Sequence, residues 1–245
     1  MSTRFDQAEP PVDLVDRIRQ AIAHGELLPG RRLVENDLAA MFDVSRGAVR
    51  SALVVLDSDG LVTRSPHRGA RVRPISLTEA VEITELRAVV EGLCAARAAQ
   101  RATPDERAQL RRLDRRMRLA AAAGDTAGYS SLSQAVHQAI REIAAQATAV
   151  DVLDRLRYRS VRYQFGVARL PGRPEQGARE HGAVVRAVVA GRAEEAEHEM
   201  RAHLESVVAA LYDLGAQDVV HGTPQSAARD GVPGGSERAV PAHPS

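Results

Sequence analysis

The chain is 245 residues long, with 44% hydrophobic and 27% charged residues and a formal net charge of +1. This length suits two modest domains, and the composition is that of a folded globular protein, which excludes a fibrous or fully disordered chain. No apolar run approaches the roughly 18 residues that a membrane-spanning helix needs, and the N-terminus lacks the features of a secretion signal. We therefore expect a cytoplasmic protein with no membrane partner.

The first part of the chain has the periodicity of three helices. Apolar positions at helical spacing predict a first helix over residues 12–24, which ends before a Leu-Pro-Gly turn. Leu38 and Phe42 mark a second, shorter helix. Ser45 is predicted to be the N-cap of a third helix that extends to about Asp57.

A β-hairpin follows these helices. Residues 61–64 and 70–73 alternate in character around a turn at 66–69. Two helices joined by a tight turn and followed by a hairpin predict a winged helix-turn-helix over residues 11–74, after a flexible N-terminus at 1–10.

The sequence after the hairpin has the pattern of helices, with no evident strand. After a linker at 75–77, amphipathic segments predict an all-helical antiparallel bundle over residues 78–214, so the fold class is mainly α. The predicted bundle helices are 78–101, 104–122, 126–145, 149–168, 176–190 and 193–213. Residues 215–245 are rich in Gly and Pro and are predicted to be a disordered tail. The single cysteine, Cys94, excludes an intramolecular disulfide and reads as a small buried hydrophobe.

Positive charge is concentrated near the third helix and the hairpin. Between residues 44 and 56 there are two arginines and no acid, and between 60 and 74 there are four arginines and no acid. Arg46 and Arg50 lie four residues apart and project together from the helix, whereas Val49 and Leu53 form its packing face. Paired guanidinium groups suit guanine edges in the major groove or flanking phosphates. The alternative is an ordinary solvated helix face.

The hairpin favours the first interpretation. Arg68-Gly69 lies at its predicted tip, where arginine can enter the minor groove, and His67 is a weaker candidate for the same role. Ser45 can add a phosphate contact to its capping role.

Residues 18–72 resemble the winged helix-turn-helix of the GntR family of bacterial regulators. The similarity covers the Gly-x-Leu-x-Pro-Gly turn, Leu-x-Glu-x-x-Leu-Ala, Val-Ser-Arg-x-x-Val-Arg, Gly-Leu-Val and Arg-Gly-Ala-x-Val. The resemblance implies DNA contacts at Ser45, Arg46, Arg50, Arg68 and Gly69. The chain departs from the family pattern where Gly47-Ala48 replaces Thr-Pro and where Ser51 replaces Glu.

Three of the eight histidines share a helix face with apolar residues in the second half of the chain. His137, His181 and His203 are therefore predicted to point inward. A single inward histidine is usually a core residue with its hydrogen bonds satisfied, and this alternative stays open for each of them. Imidazoles on successive bundle helices can instead converge on a divalent metal.

Residues 78–213 resemble the FCD ligand-binding domain of the FadR-type GntR regulators. The similarity rests on Glu85-Leu86-Arg87-x-x-x-Glu91 and on Glu180-His181, followed 22 residues later by His203-Leu204. It implies that His137, His181 and His203 hold a divalent metal such as zinc or nickel. Ser133 stands where the family's Asp-x-x-x-His motif has its aspartate, so the one anionic ligand is missing. This departure predicts weaker binding of a cation.

The resemblance also implies an effector. Family members bind a small carboxylate at the metal, and the expected effector-binding residues are Arg87, Ser133, His137, His181 and His203. Tyr129, Tyr158 and Tyr163 are candidate hydroxyl donors, or else packing residues.

Three functions fit these features. The first is a homodimeric transcription regulator that reads a palindromic double-stranded operator and whose operator affinity changes when the effector binds. The second is a metal-dependent hydrolytic enzyme that uses the three histidines, with Glu142 or Glu180 as candidate bases. It leaves the N-terminal arginines unexplained. The third is a helical interaction scaffold, which the wing disfavours.

Overall fold

The computed structural model describes residues 11–23, 26–65 and 69–220. Within these ranges the chain forms nine helices and three short strands. The N-terminal elements are α1 (Pro11–Ala23), β1 (Arg32–Leu33), α2 (Glu35–Phe42), α3 (Arg46–Ser58), β2 (Val62–Ser65) and β3 (Gly69–Val72). The C-terminal elements are α4 (Leu77–Arg101), α5 (Pro104–Ala122), α6 (Thr126–Ala144), α7 (Ala147–Ala168), α8 (Arg173–Ala190) and α9 (Ala193–Val220).

Helices α2 and α3 form the predicted helix-turn-helix. Asp43 ends α2 in the left-handed region, with φ of 54°, a conformation that a short polar side chain tolerates. Ser45 then starts α3 as predicted, because its Oγ accepts a hydrogen bond from the Ala48 amide at 3.2 Å. Val49 and Leu53 are buried against α1, which confirms the predicted packing face.

The wing contains one strand more than predicted. The three antiparallel strands have the order β1-β3-β2, with Arg32 opposite Arg71 and Thr63 opposite Arg71 on the other side. The two-residue strand β1 is too short to produce a periodicity in the sequence. The predicted hairpin is present, and its tip at 66–68 lies outside the described residues.

Helix α4 is the central element of the second half. It packs against α6, α7, α8 and α9, while α5 packs against α6 and α8. Its buried face is built mainly from alanines and from Cys94, which is fully buried as predicted. Small side chains let the neighbouring helices approach closely, so the bundle surrounds α4 instead of lying beside it.

Several helix limits differ from the sequence prediction. Helix α8 begins at Arg173 and not at 176, since Pro174 in its first turn needs no amide donor and so does not break the helix. Ser76 is the N-cap of α4, which shortens the predicted linker by one residue. Helix α9 continues to Val220, past the predicted start of the tail at 215, because Gly215 is buried against Leu77 at the start of α4. Residues 1–10 and 221–245 lie outside the described residues.

The two halves contact each other beside the linker. Arg73 at the end of the wing forms two hydrogen bonds of 2.8 Å with Glu79 of α4. Tyr163 of α7 donates a hydrogen bond to the carbonyl of Ile75. Helix α7 also packs against α1.

Among the described helices, none combines the length and the hydrophobicity that crossing a bilayer requires.

Two leucines of α5 test the bundle core. Leu110 is fully buried and Leu119 is 65% exposed. We expect Leu110→Ala to lower the free energy of unfolding by about 2–5 kcal/mol, because the substitution removes apolar contacts and leaves a cavity. The matched control Leu119→Ala should change it by less than about 0.5 kcal/mol. Equal effects in urea denaturation would contradict the assigned core.

Candidate nucleic-acid interface and metal centre

The predicted arginine pair lies on the exposed face of α3. Ser45, Arg46 and Arg50 are all exposed at the N-terminal end of this helix, as the sequence predicts. Gly69 begins β3 with φ of 77°, a conformation that favours glycine and turns the chain out of the wing tip. His67 and Arg68 lie outside the described residues, so their predicted roles stay predictions.

A cleft of about 530 Å³ separates this helix face from the wing. Its basic lining includes Arg32 of β1 and Arg64 of β2 as well as Arg50. Sequence reasoning did not single out Arg32, because the strand that positions it was not predicted. Its Nε would lie 3.9 Å from a Cβ added to Gly69, so Arg32 reaches the start of the wing tip.

One acidic residue lies in this basic cleft. Glu35 accepts two hydrogen bonds from Arg50, of 3.0 Å from Nε and 2.8 Å from Nη2. The hydrogen bond from Arg50 lowers the pKa of the Glu35 carboxyl, and the charges of Arg46 and Arg64 act in the same direction. A bidentate pair fixes the plane of a guanidinium group. Arg50 is therefore oriented before it meets any ligand.

The three predicted histidines converge inside the bundle. His137 comes from α6, His181 from α8 and His203 from α9. Their candidate ligand nitrogens all lie within 4.8 Å of one another, and the Nε2 atoms of His137 and His181 are 3.1 Å apart. His181 and His203 are buried and His137 is mostly buried. The prediction that all three point inward is confirmed.

Each Nδ1 atom has its own hydrogen-bond acceptor. That of His137 lies 2.5 Å from Glu91 Oε2, that of His203 lies 2.7 Å from Glu180 Oε2, and that of His181 lies 2.7 Å from the Gly177 carbonyl. Carboxylates and carbonyls accept only, so Nδ1 is the protonated nitrogen in all three rings. In the neutral form each Nε2 then carries a lone pair.

Burial keeps two of these rings neutral. It lowers the pKa of His181 well below its ordinary value, and the neighbouring histidines add to the effect. Burial also lowers the pKa of His203 to about 4, despite the opposing hydrogen bond to Glu180. Neutral imidazole is the form that binds a metal.

The two carboxylates behind the rings are ionised. Burial alone raises the pKa of Glu91, but the charge of Arg87 and the interaction with His137, which includes a hydrogen bond, outweigh it and hold that pKa well below the ordinary value. Burial opposes ionisation of Glu180 as well. Hydrogen bonds from His203, Arg173 and Ser206 nevertheless lower its pKa to about 2.

The histidines face a small cavity of about 80 Å³. Polar groups around it come from Arg87, Ser133 and Tyr129, and Ser133 Oγ lies 3.1 Å from His181 Nε2. Arg87 and Ser133 thus lie where the sequence predicts. Among the described residues, no Asp or Glu lines the cavity. Tyr163 bonds to the linker instead, and the side chain of Tyr158 is outside the described residues.

Sequence reasoning missed three groups that shape this site. Arg173 falls between the predicted helices 149–168 and 176–190, although it is 95% buried and donates to both Glu180 oxygens. Glu91 was noted only as part of a motif, yet its spacing of four residues from Arg87 indicates an ion pair on one helix face. Gly177 carried no signal, since its role depends on a contact with another helix.

Gly177 and Tyr129 form a tight contact at the cavity. A Cβ added to Gly177 would lie 1.9 Å from Tyr129 Oη. We expect Gly177→Ala to lower the free energy of unfolding by about 1–3 kcal/mol, because the tyrosine must move within a packed core. Adding Tyr129→Phe should recover part of this loss, since the colliding oxygen is gone. Urea denaturation of the single and double variants measures both effects, and a loss that is the same with and without the hydroxyl would contradict the contact.

Known proteins match both halves of the chain. The sequence matches the FCD domain over residues 82–206 and the bacterial regulatory proteins of the gntR family over residues 12–72. The HTH-type transcriptional repressor RspR of Escherichia coli K12 is 27% identical over 208 residues, covering 84% of this chain and 91% of that protein. A probable D-xylose utilization operon transcriptional repressor of Paenarthrobacter nicotinovorans is 28% identical, covering 85% and 92%.

A solved structure shares the fold. Escherichia coli McbR/YncC has a TM-score of 0.74 at 21% identity, covering 83% of this chain and 97% of its own. The family and these relatives are transcription regulators and not enzymes, so the hydrolytic alternative is wrong. The chain belongs to the GntR family of bacterial transcription regulators, as a DNA-binding member with a C-terminal FCD domain.

Proposed function

We propose that the protein is a regulator whose operator affinity is set by a small carboxylate bound at a metal ion in the helical domain. The observation that supports this proposal is the arrangement of His137, His181 and His203. Each Nδ1 donates a hydrogen bond to an acceptor, which leaves the three Nε2 lone pairs for the cavity that the rings line. Two such lone pairs 3.1 Å apart repel each other unless a cation or a proton lies between them. The one hydroxyl hydrogen of Ser133, whose Oγ lies 3.1 Å from His181 Nε2, can satisfy one of the three lone pairs but not all of them.

The donor set fits a late first-row divalent metal. Neutral imidazole suits zinc and nickel, and residues on facing bundle helices are a common source of such ligands. His137, His181 and His203 would hold the ion. When bound, the metal would supply positive charge and open coordination positions for the oxygens of an acid.

The surroundings favour an anion as the second ligand. Three imidazoles add no negative charge, and the described lining of the cavity contains no carboxylate. A doubly charged cation in this buried space therefore needs an anionic partner. Ser133 and Tyr129 offer hydroxyl donors and Arg87 a guanidinium group. The cavity of about 80 Å³ has room for the carboxylate group of a small acid.

The N-terminal half would bind the operator, and its affinity would change when the effector binds. Ser45, Arg46 and Arg50 on α3 would contact an operator, with Arg32 and the wing beside them. One such module covers few base pairs, so we propose a homodimer on a palindromic operator, acting in the cytoplasm where the chromosome lies.

Arginine substitutions test the DNA interface. Arg46→Ala and Arg50→Ala should each weaken operator binding by about 1–3 kcal/mol if the guanidinium reads a base, with unchanged circular dichroism. The control is Arg192→Ala, an exposed arginine before α9 that lies in the other half of the chain. Gel shifts on an operator selected by the wild-type protein measure the effect. Unchanged binding by both α3 variants would overturn the assignment of α3 as the recognition helix.

Histidine substitutions test the metal. Untagged protein purified without chelator is expected to contain stoichiometric divalent metal by elemental analysis. His203→Ala should weaken zinc binding by about tenfold or more, since one ligand is lost. The control His198→Ala removes an exposed histidine of the same helix. Equal zinc affinity in all three proteins would exclude these histidines as ligands.

Acid titrations test the coupling. Among acetate, lactate and malonate, at least one should bind the zinc-loaded protein more tightly than the metal-free protein and should change operator affinity. Reciprocity requires that the same acid tightens zinc binding by the same factor. Calorimetry and gel shifts measure both sides. Acids that bind equally with and without zinc would contradict the proposed coupling.

A further inference from the structure

Two carboxylates, the buried Glu91 and the partly buried Glu180, lie directly behind the histidine cluster. Glu91 of α4 is 97% buried and uses both oxygens: Oε2 accepts from His137 Nδ1 at 2.5 Å, and Oε1 accepts from Arg87 Nε at 2.8 Å. It therefore links a guanidinium group to an imidazole whose far nitrogen faces the cavity.

A second chain of the same kind comes from other helices. Glu180 of α8 accepts from His203 Nδ1 at 2.7 Å and from both terminal nitrogens of the buried Arg173, at 3.1 and 2.9 Å. Ser206 donates to it as well, at 2.6 Å. Two arginine–carboxylate–imidazole chains, one on α4 and α6 and the other on α8 and α9, thus end at one cavity. The third ring, His181, has only a backbone carbonyl behind it.

Fold stability alone does not explain two ionised carboxylates that are wholly or partly removed from water. A buried ion pair rarely repays its desolvation cost, and an apolar pair of similar volume is often as stable. A carboxylate behind an imidazole does have a specific effect. It fixes the ring and its tautomer and increases the basicity of the far nitrogen toward a metal.

We infer that Glu91 and Glu180 are positioning residues for the metal, and that their charge strengthens His137 and His203 as donors in a cavity whose described lining contains no carboxylate. This inference rests on the proposed metal site. It assigns unequal roles to the three rings: His137 and His203 are the strong donors, and His181 is the weaker one.

The test uses Glu91→Gln and Glu180→Gln in the full chain. Glutamine keeps a carbonyl oxygen that can accept from Nδ1, so the ring can keep its orientation while the charge is removed. We expect each variant to bind zinc about 10- to 100-fold more weakly than the wild type, measured by competition with a chromophoric chelator. Glu197→Gln, which changes a surface ion pair with Arg201, is the matched control and should leave zinc affinity unchanged.

Two further measurements separate positioning from stability. The absorption spectrum of the cobalt-loaded variants should keep the wild-type shape, because the three ligand nitrogens are the same. A fixed zinc concentration should raise the melting temperature less in both variants than in the wild type, because this rise depends on the affinity for the metal. Each rise is measured against the same variant without metal, so a loss of intrinsic stability does not affect the comparison. If Glu91→Gln does not fold, Glu180→Gln carries the test, because Glu180 is the less buried of the two.

The outcomes separate this inference from the proposed function. If the wild type binds zinc, His203→Ala weakens binding, and both glutamine variants match the wild type, the inference is overturned and the metal site stands. If the wild type itself binds no zinc, both are overturned.

Discussion

Helix α4 buries both small side chains and an ion pair in the same segment, and the packing of the helical domain depends on this combination. Its alanines allow four other helices to approach, so the helix itself contributes little apolar volume to the core. Arg87 and Glu91 lie on the same helix and are almost as buried as the alanines. Such charges are tolerated only with full hydrogen bonding. His137 completes that bonding, so the packing of α6 on α4 and the orientation of the histidine depend on each other.

The second half of the molecule is joined to the first through α7. This helix lines the cavity with Val167 and Ala168, packs against α1, and bonds to the linker through Tyr163. Arg73 and Glu79 hold the wing to the start of α4 beside it. Under the proposed function, α7 is the element that both sites share. A change in its position at the cavity would therefore reach the helix that supports α3.

Local patterns made the helices and their caps predictable. The cap at Ser45 follows from residues adjacent in sequence, and so does the buried face of Val49 and Leu53. The inward direction of His181 and His203 follows from helical periodicity in the same way. Strand β1 could not be predicted, because two residues give no period and the strand exists only by pairing with β3.

Local sequence patterns could not predict that the three histidine rings converge on one cavity. The distances among the three rings are set by how α6, α8 and α9 pack, which depends on contacts distant in sequence. The same holds for Glu180, whose partner His203 lies 23 residues away on the next helix. The early start of α8 was missed for another reason: a proline that ends a helix in most positions is favourable in the first turn.

The contact between Gly177 and Tyr129 lies beside the cavity, and both side chains can be exchanged while the three histidines and the backbone carbonyl behind His181 are kept. Glycine and alanine differ by one methyl group, and tyrosine and phenylalanine differ by one hydroxyl group. Each exchange needs a single nucleotide change in the codon. Loss of the Tyr129 hydroxyl changes the polarity and the size of the cavity lining, and it removes the atom that a methyl group at position 177 would meet. The order of the two exchanges therefore matters for evolution: phenylalanine at position 129 can come first, and alanine at position 177 becomes less costly only after it.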